Sequence, residues 1–305
     1  VVELLLVAFH QLLTFTGLDA AAGITWVLSI VGLVLVIRAA LIPIFVKQIK
    51  SQRRMLEVAP QLKKIQDKYK GKRDQLSREA MSRETMELYK KTGTNPLASC
   101  LPLLIQMPIF FSLFSVLNDA QHSKAGVGPL SDELAQQFGE ANLFGIAPLH
   151  QSIQGALAEG GQELVIVIAV IMVVLMTASQ FITQLQIVSK NMSPEAKASP
   201  TFKQQRILLY ILPLVFAFSG FAFPLGVMFY WLTSNIWTMV QQFVVIRNMP
   251  TPGSEAAKAR EERLRRKGKL VEEITPAGET TLVEKKAVQR QQPVGKSRAK
   301  KQAGK

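Results

Sequence analysis

Apolar residues fall in five long runs separated by polar stretches, and this alternation predicts an all-α polytopic membrane protein with five transmembrane helices. The runs are 24–47, 97–117, 164–186, 207–221 and 224–246. A helix needs about 20 mostly apolar residues to cross a hydrocarbon core of about 30 Å. The fourth run is short by that measure, and the brief connection from Gly220 to Pro224 makes it an antiparallel hairpin with the fifth. Pro102 and Pro108 predict a kinked second span packed against neighbours that satisfy the freed carbonyls. The third run turns polar in its second half, where Gln180, Thr183 and Gln184 lie about one turn apart on one side and can line a hydrated space.

The polar stretches carry patterns of their own. In residues 1–23, Leu5, Phe9, Leu12 and Leu13 share one helical face, the pattern of a helix lying in the interface plane. Within 48–95, Ile49, Leu56, Leu62, Ile65 and Tyr69 recur at helical spacing. A charged turn follows from Lys70 to Asp74, and Leu76, Ala80, Met81, Leu88 and Tyr89 resume the pattern, predicting an antiparallel helical hairpin. Residues 118–163 form a polar, Gly- and Pro-containing loop, and 187–206 a short basic one. The tail, 247–305, favours helix between Ala256 and Lys269 and then loses periodicity, which predicts disorder beyond about residue 270.

Charge orients these segments. Of 36 lysines and arginines, 34 fall between Lys47 and Asn95, in the 187–206 loop and in the tail, Lys124 stands alone in the 118–163 loop, and Arg38 lies inside a span. The positive-inside rule then puts the hairpin, the short loop and the C-terminus in the cytoplasm, and the N-terminus outside. The tail's charge suits anionic lipid or ribosomal RNA, or simply a solvated topogenic segment. The single Cys100 excludes an internal disulfide, and His10, His122 and His150 lie far apart, so neither a metal site nor a cofactor is expected.

Arg38 is the anomaly. It sits in the first run with Ala39 to Val46 still to come before Lys47, roughly 13 Å inside at about 1.5 Å per residue. A charge there costs from about 3 to more than 10 kcal/mol if unpaired. Snorkelling or a structural pair with another helix would relieve it. The other resolution is a water-filled cavity that uses the charge.

Arg38, the basic hairpin, the segment GTNPLASCLPLLIQMPIFFSLFSVL (Gly93 to Leu117) and YWLTSNIWTMVQQ (Tyr230 to Gln242) together resemble the YidC-type membrane protein insertases, the bacterial branch of the Oxa/Alb superfamily. The resemblance spans about Trp26 to Asn248. It implies a five-helix bundle in the bacterial plasma (inner) membrane, enclosing a hydrophilic groove open to the cytoplasm and laterally to lipid. The groove arginine falls on Arg38, a contact region on Tyr230 and Trp231, and a polar groove position on Gln184, with Gln180 and Thr183 beside it. Val34 departs from the pattern, standing where family members often carry a hydroxyl residue. The implied function is to guide nascent transmembrane segments into the bilayer, with Phe110, Phe114, Met228 and Trp231 offering an apolar exit. No covalent chemistry and no small-molecule substrate are expected. The implied partners are nascent membrane proteins, with the ribosome, the Sec translocon and anionic lipid as further candidates. A transporter or channel for an anionic solute is the rival reading of the buried arginine, though the five unequal spans show no paired repeats. An intramembrane protease is disfavoured, because no span holds a histidine or aspartate and Ala217-Phe218-Ser219-Gly220 misses the serine-type motif.

Overall fold

The computed structural model describes residues 1–72, 74–94, 101–122, 124–160, 162–194 and 218–274, the strand 280–284, and residues 197, 211 and 215. The chain forms two units, 1–257 and 258–305. Four long helices dominate the first: α2 (Gly23–Lys68), α4 (Leu101–Gln121), α7 (Glu163–Lys190) and α8 (Leu225–Asn248). Among the described residues, α2 over Gly23–Ser51 and α7 are long and apolar enough to cross a membrane. Helix α8 is more polar, carrying Thr233, Ser234, Asn235, Thr238, Gln241 and Gln242. The fourth apolar run, 207–221, lies outside the described residues except at 211, 215 and 218–221.

Two features differ from the sequence reading near the first span. Helix α2 does not stop at Lys47 but continues as one element to Lys68, passing Pro43 and Pro60. The first span and the first arm of the hairpin are therefore a single helix. The second arm is α3 (Gln75–Thr92), started by Asp74, whose carboxylate accepts the Ser77 N–H at 2.8 Å, and stopped by Gly93 in the left-handed conformation. The preceding helix, α1 (Val2–Phe15), buries Leu6, Val7 and His10, a different face from the one the Leu5/Phe9/Leu12/Leu13 pattern selects. Leu12 stays exposed, while the Phe9 ring lies so close to Gly32 of α2 that a Cβ there would approach it to 2.6 Å. Helix–helix packing thus sets the orientation of α1.

The stretch 118–163 is a folded cap rather than a plain loop. It contains α5 (Asp132–Glu140), a two-stranded antiparallel ribbon of β1 (Asn142–Leu143) and β2 (Ala147–Pro148), and α6 (Ile153–Glu159). Ser131 caps α5 through the Leu134 N–H, and Ser152 caps α6 through the Gly155 N–H. Leu130, Ala135, Phe138, Leu143, Leu149, Ile153 and Ala156 point inward and join one core with Trp26 and Ile30 of α2, Leu117 of α4 and Met228 of α8. At its centre Trp26 is stacked on His10 (4.0 Å between ring centroids) and meets the edge of Phe138 at 5.3 Å. His10 Nε2 donates to the Ala20 carbonyl at 2.9 Å, and the Glu3 carboxylate accepts the Val127 and Gly128 N–H groups.

This cap gathers the ends of the long helices. The first N–H groups of α8, at Leu225 and Gly226, have no partner within the helix, and they donate to the Gln151 and Leu149 carbonyls. Gln154 N–H donates to the Phe221 carbonyl in the turn before α8. Strand β1 bridges Ala22 at the start of α2, and β2 packs on α7. Helices α2, α7 and α8 therefore all begin at the cap, whereas α4 ends there against α5. At the opposite ends, Lys190 of α7 pairs with Glu255 at 2.6 Å, and Asn191 Oδ1 accepts the Thr251 N–H.

Helix α9 (Glu255–Arg266) falls in the stretch expected to be helical. Beyond it the expectation of disorder is corrected in part. β3 (Leu270–Ile274) and β4 (Thr280–Glu284) pair antiparallel, Leu270 opposite Glu284 and Ile274 opposite Thr280. Their leucine, isoleucine, valines and threonines are residues that suit a strand, and a strand of five residues carries no helical period. Residues 285–305 lie outside the described residues.

Candidate functional site

Three helices bring polar side chains together within the apolar bundle. α2 supplies Arg38, α4 supplies Gln106, and α8 supplies Tyr230 and Ser234 one turn apart on the same face. The Arg38 guanidinium donates through Nη2 to Ser234 Oγ. Gln106 Nε2 donates to the Tyr230 hydroxyl at 2.6 Å. Tyr230 and Ser234 are each 4% exposed, so their hydroxyls are held by protein.

The electrostatics of this cluster follow from what surrounds the charge. Arg38 is half-buried, and its guanidinium lies 5.9 Å from the ring centre of Phe45, two turns along the same helix. Among the described residues no aspartate or glutamate is paired with it; its partners are a hydroxyl and an aromatic face. Neutral groups orient a guanidinium and offset part of its lost hydration, but they leave its charge uncancelled. The site is thus positive, held in place, and rich in donors: the guanidinium N–H groups not directed at Ser234, and the Gln106 amide.

The sequence-selected residues divide around it. Arg38 and Tyr230 belong to the cluster. Trp231 belongs to an adjoining aromatic group, its ring 5.5 Å from both Phe110 and Phe223. Phe110 also lies 6.1 Å from Phe114 and 6.4 Å from Tyr230, so the aromatic group abuts the polar one. Phe110, Phe114 and Trp231 are half-buried, and Phe111 beside them is exposed. Met228 is placed otherwise: its side chain is fully buried in the core shared with the cap, so it presents no surface to an apolar segment leaving the bundle.

On α7, Val165, Ala169, Met172, Met176, Ser179 and Thr183 form a buried stripe alternating in steps of four and three, the spacing of a helix seam. Helix α8 is the main partner of α7, and Asn235 crosses to the Met176 carbonyl at 3.5 Å. Thr183 is therefore a packing residue, its hydroxyl turned to the Ser179 carbonyl of its own helix at 2.8 Å. Gln180 and Gln184 flank the stripe, half-buried. Val34 is buried in the core next to the cap. Sequence reading missed Ser234 and Gln106, neutral residues unremarkable alone. The available signal was the recurrence of Tyr230, Ser234 and Thr238 every fourth residue, a polar line along one face of the helix.

Comparison with known proteins places the chain in a family. The family model described as 60Kd inner membrane protein matches residues 17–252. A Tropheryma whipplei (strain Twist) protein named membrane protein insertase YidC is 45% identical over 305 residues, covering 98% of this chain and 94% of its own. A Streptomyces avermitilis protein of the same name is 47% identical over 252 residues, 81% of this chain and 57% of its own. A Bifidobacterium longum protein, again of that name, is 38% identical over 307 residues, 95% of this chain and 90% of its own. The matched span holds Arg38, Gln106, Tyr230, Ser234 and the entire cap, and the chain belongs to the 60Kd inner membrane protein family.

Proposed function

We propose that this chain is a membrane protein insertase that guides nascent transmembrane segments into the bacterial inner membrane, the activity for which its relatives are named. In this reading five spans enclose a groove open to the cytoplasm and to lipid, the cap lies outside, and the α2–α3 hairpin and the tail lie in the cytoplasm. The distribution of 34 of 36 basic residues supports that orientation, as does the shared end at which α2, α7 and α8 begin and α4 ends.

The observation that carries the proposal is Arg38, a half-buried charge held by neutral groups between α2 and α8. Moving a polar tail across hydrocarbon is costly because its groups lose water before they gain partners. A groove lined by Arg38, Gln106, Tyr230 and Ser234, with Gln180 and Gln184 on α7, supplies hydration and donors partway across. Carboxylates of the tail are drawn to the uncancelled charge. The apolar segment that follows leaves past Phe110, Phe114 and Trp231 into lipid. No bond is made or broken, and the driving force is the burial of the new helix, about 25 cal/mol per Å² of apolar surface. Translating ribosomes, the Sec translocon and anionic lipid are the further partners proposed, the first and last through the basic tail.

The test is reconstitution of the purified protein in liposomes with a short single-span substrate bearing an acidic translocated tail. The tail should become protected from external protease in proteoliposomes and stay accessible in protein-free ones. Equal protection in both would refute the proposal.

A further inference from the structure

Strands β1 and β2 are joined by Leu143-Phe144-Gly145-Ile146, closed by the Ile146 N–H donating to the Leu143 carbonyl at 3.1 Å. Phe144 has φ 53° and Gly145 φ 74°, so both central residues are left-handed and the turn is type I′. Glycine or asparagine suits the first of these positions, whereas a phenylalanine there is strained. The strain is not relieved by packing: Phe144 is 77% exposed, Ile146 is 49% exposed, and neither joins the core. A strained, exposed aromatic side chain points to a use outside the chain's own fold.

The position of the turn identifies what it meets. The bridge between Ala22 and Asn142 is parallel, so β1 runs in the direction in which the chain enters α2. Gly23, the first residue of α2, lies so close to β1 that a Cβ there would come within 2.6 Å of Asn142 and Leu143 backbone atoms. On the other side β2 packs on α7, whose second residue, Leu164, is an exposed apolar side chain. The turn therefore projects beside the first turn of α2, from a ribbon whose second strand packs on α7, the two helices long and apolar enough to span a membrane, towards the direction in which α2 descends. We infer that Phe144 and Ile146 are a lipid anchor, entering the headgroup–acyl boundary of the leaflet at which α2 and α7 begin. An aromatic ring suits that boundary, where part of its surface leaves water without deep insertion. The anchor would fix the height of the cap on the bilayer, and with it the depth of α2 and of Arg38.

The test uses the full chain with Cys100→Ser, reconstituted in phosphatidylethanolamine/phosphatidylglycerol vesicles. An environment-sensitive fluorophore is attached at Phe144→Cys, at Ile146→Cys, or at Lys70→Cys as an aqueous reference. Labels at 144 and 146 should show blue-shifted emission, quenching by lipids carrying a nitroxide near the headgroup, and protection from aqueous iodide. Adding Phe144→Asn to the Ile146→Cys protein should reduce the lipid quenching without lowering the thermal midpoint, since asparagine tolerates the left-handed turn. Three outcomes overturn the inference: iodide quenching at 144 equal to that at Lys70→Cys; protection from iodide without lipid quenching, which means protein covers the turn; or lipid quenching unchanged by Phe144→Asn.

Discussion

Helix α2 is held in opposite ways at its two ends. Its start is clamped by a deep core: Trp26 lies between His10 and Phe138, and Gly23 leaves no room between the helix and β1. Among the described residues its far end and α3 bury little: Val58 and Ile65 are buried apolar side chains of α2 there, α3 has none, and an exposed Lys68–Glu84 ion pair at 2.9 Å ties the two arms. An exposed ion pair adds little once solvent screens it. One helix thus joins a rigid cap to a loosely held hairpin, with Arg38 between them, fixed from the clamped side. Ser234, the partner of the Arg38 guanidinium, stands on α8, which also starts at the cap.

Breaking the clamp should have the largest effect. Phe138→Ala removes a fully buried ring from the cap core and should cost about 3–5 kcal/mol, read as a large fall in the thermal unfolding midpoint in detergent. Deleting 53–90, by contrast, should leave that midpoint nearly unchanged while impairing the proposed insertion. A hairpin deletion that destabilises the protein as much as Phe138→Ala would remove the contrast between the two ends.

A smaller effect is expected where helix propensity and packing disagree. Alanine is the better helix former, but at Gly23 its Cβ would overlap the Asn142 carbonyl at 2.5 Å, and backbone cannot swing aside as a side chain can. Gly23→Ala should therefore destabilise by about 1–3 kcal/mol by opening the clamp, while Gly71→Ala, at a left-handed φ of 86° that strains a side chain, should disturb the hairpin turn and leave the clamp untouched. Differential scanning of both variants checks this.

The smallest effect concerns pH at the loose end. The Ser77 N–H holds the Asp74 carboxyl below its usual range, and Lys68 does the same for Glu84. A carboxyl depressed on folding adds stability above its unfolded range and loses it as pH falls through the folded value. Lys68, raised chiefly by its hydrogen bond with Glu84, contributes below its unfolded range and loses that contribution as pH rises through its folded value. The hairpin should accordingly be tightest around neutral pH and open on acidification below the ordinary carboxylate range. Spin labels on α2 and α3 would report the opening as a broadened distance distribution, and Asp74→Asn combined with Glu84→Gln should flatten the acid response.

How legible each region was in the sequence follows the same division. Helices α2, α4, α7 and α8 fall on four of the five apolar runs, because a run of apolar residues needs no partner to be recognised. Helix α3 was readable from its charged turn and spacing, with Asp74 and Gly93 marking its ends. The cap was not. Its inward residues, from Leu130 through Phe138 and Leu149 to Ile153, follow no single period, since they come from two short helices, a ribbon and the links between them. Each is buried by distant segments rather than by its own element, and periodicity reports only the element. The same reason explains the face chosen by α1. At the site, Arg38 was conspicuous because a charge in an apolar run is costly wherever it points. Ser234 and Gln106 were not, because a neutral polar residue in a span signals a site only once another helix brings a partner to it.

The most direct measurement concerns the charge at Arg38. Insertion of one substrate with an acidic translocated tail and one with a neutral tail should be compared for the parent, Arg38→Lys and Arg38→Ala, at matched protein levels in liposomes. Lysine keeps the charge but loses the planar fork that reaches Ser234. Arg38→Lys should therefore retain most insertion of the acidic-tailed substrate, Arg38→Ala should lose it, and the neutral-tailed substrate should be affected less by either. Acidic-tailed insertion by Arg38→Ala at the parental level, or failure of Arg38→Lys as complete as that of alanine, would contradict an uncancelled charge as the working feature of the site.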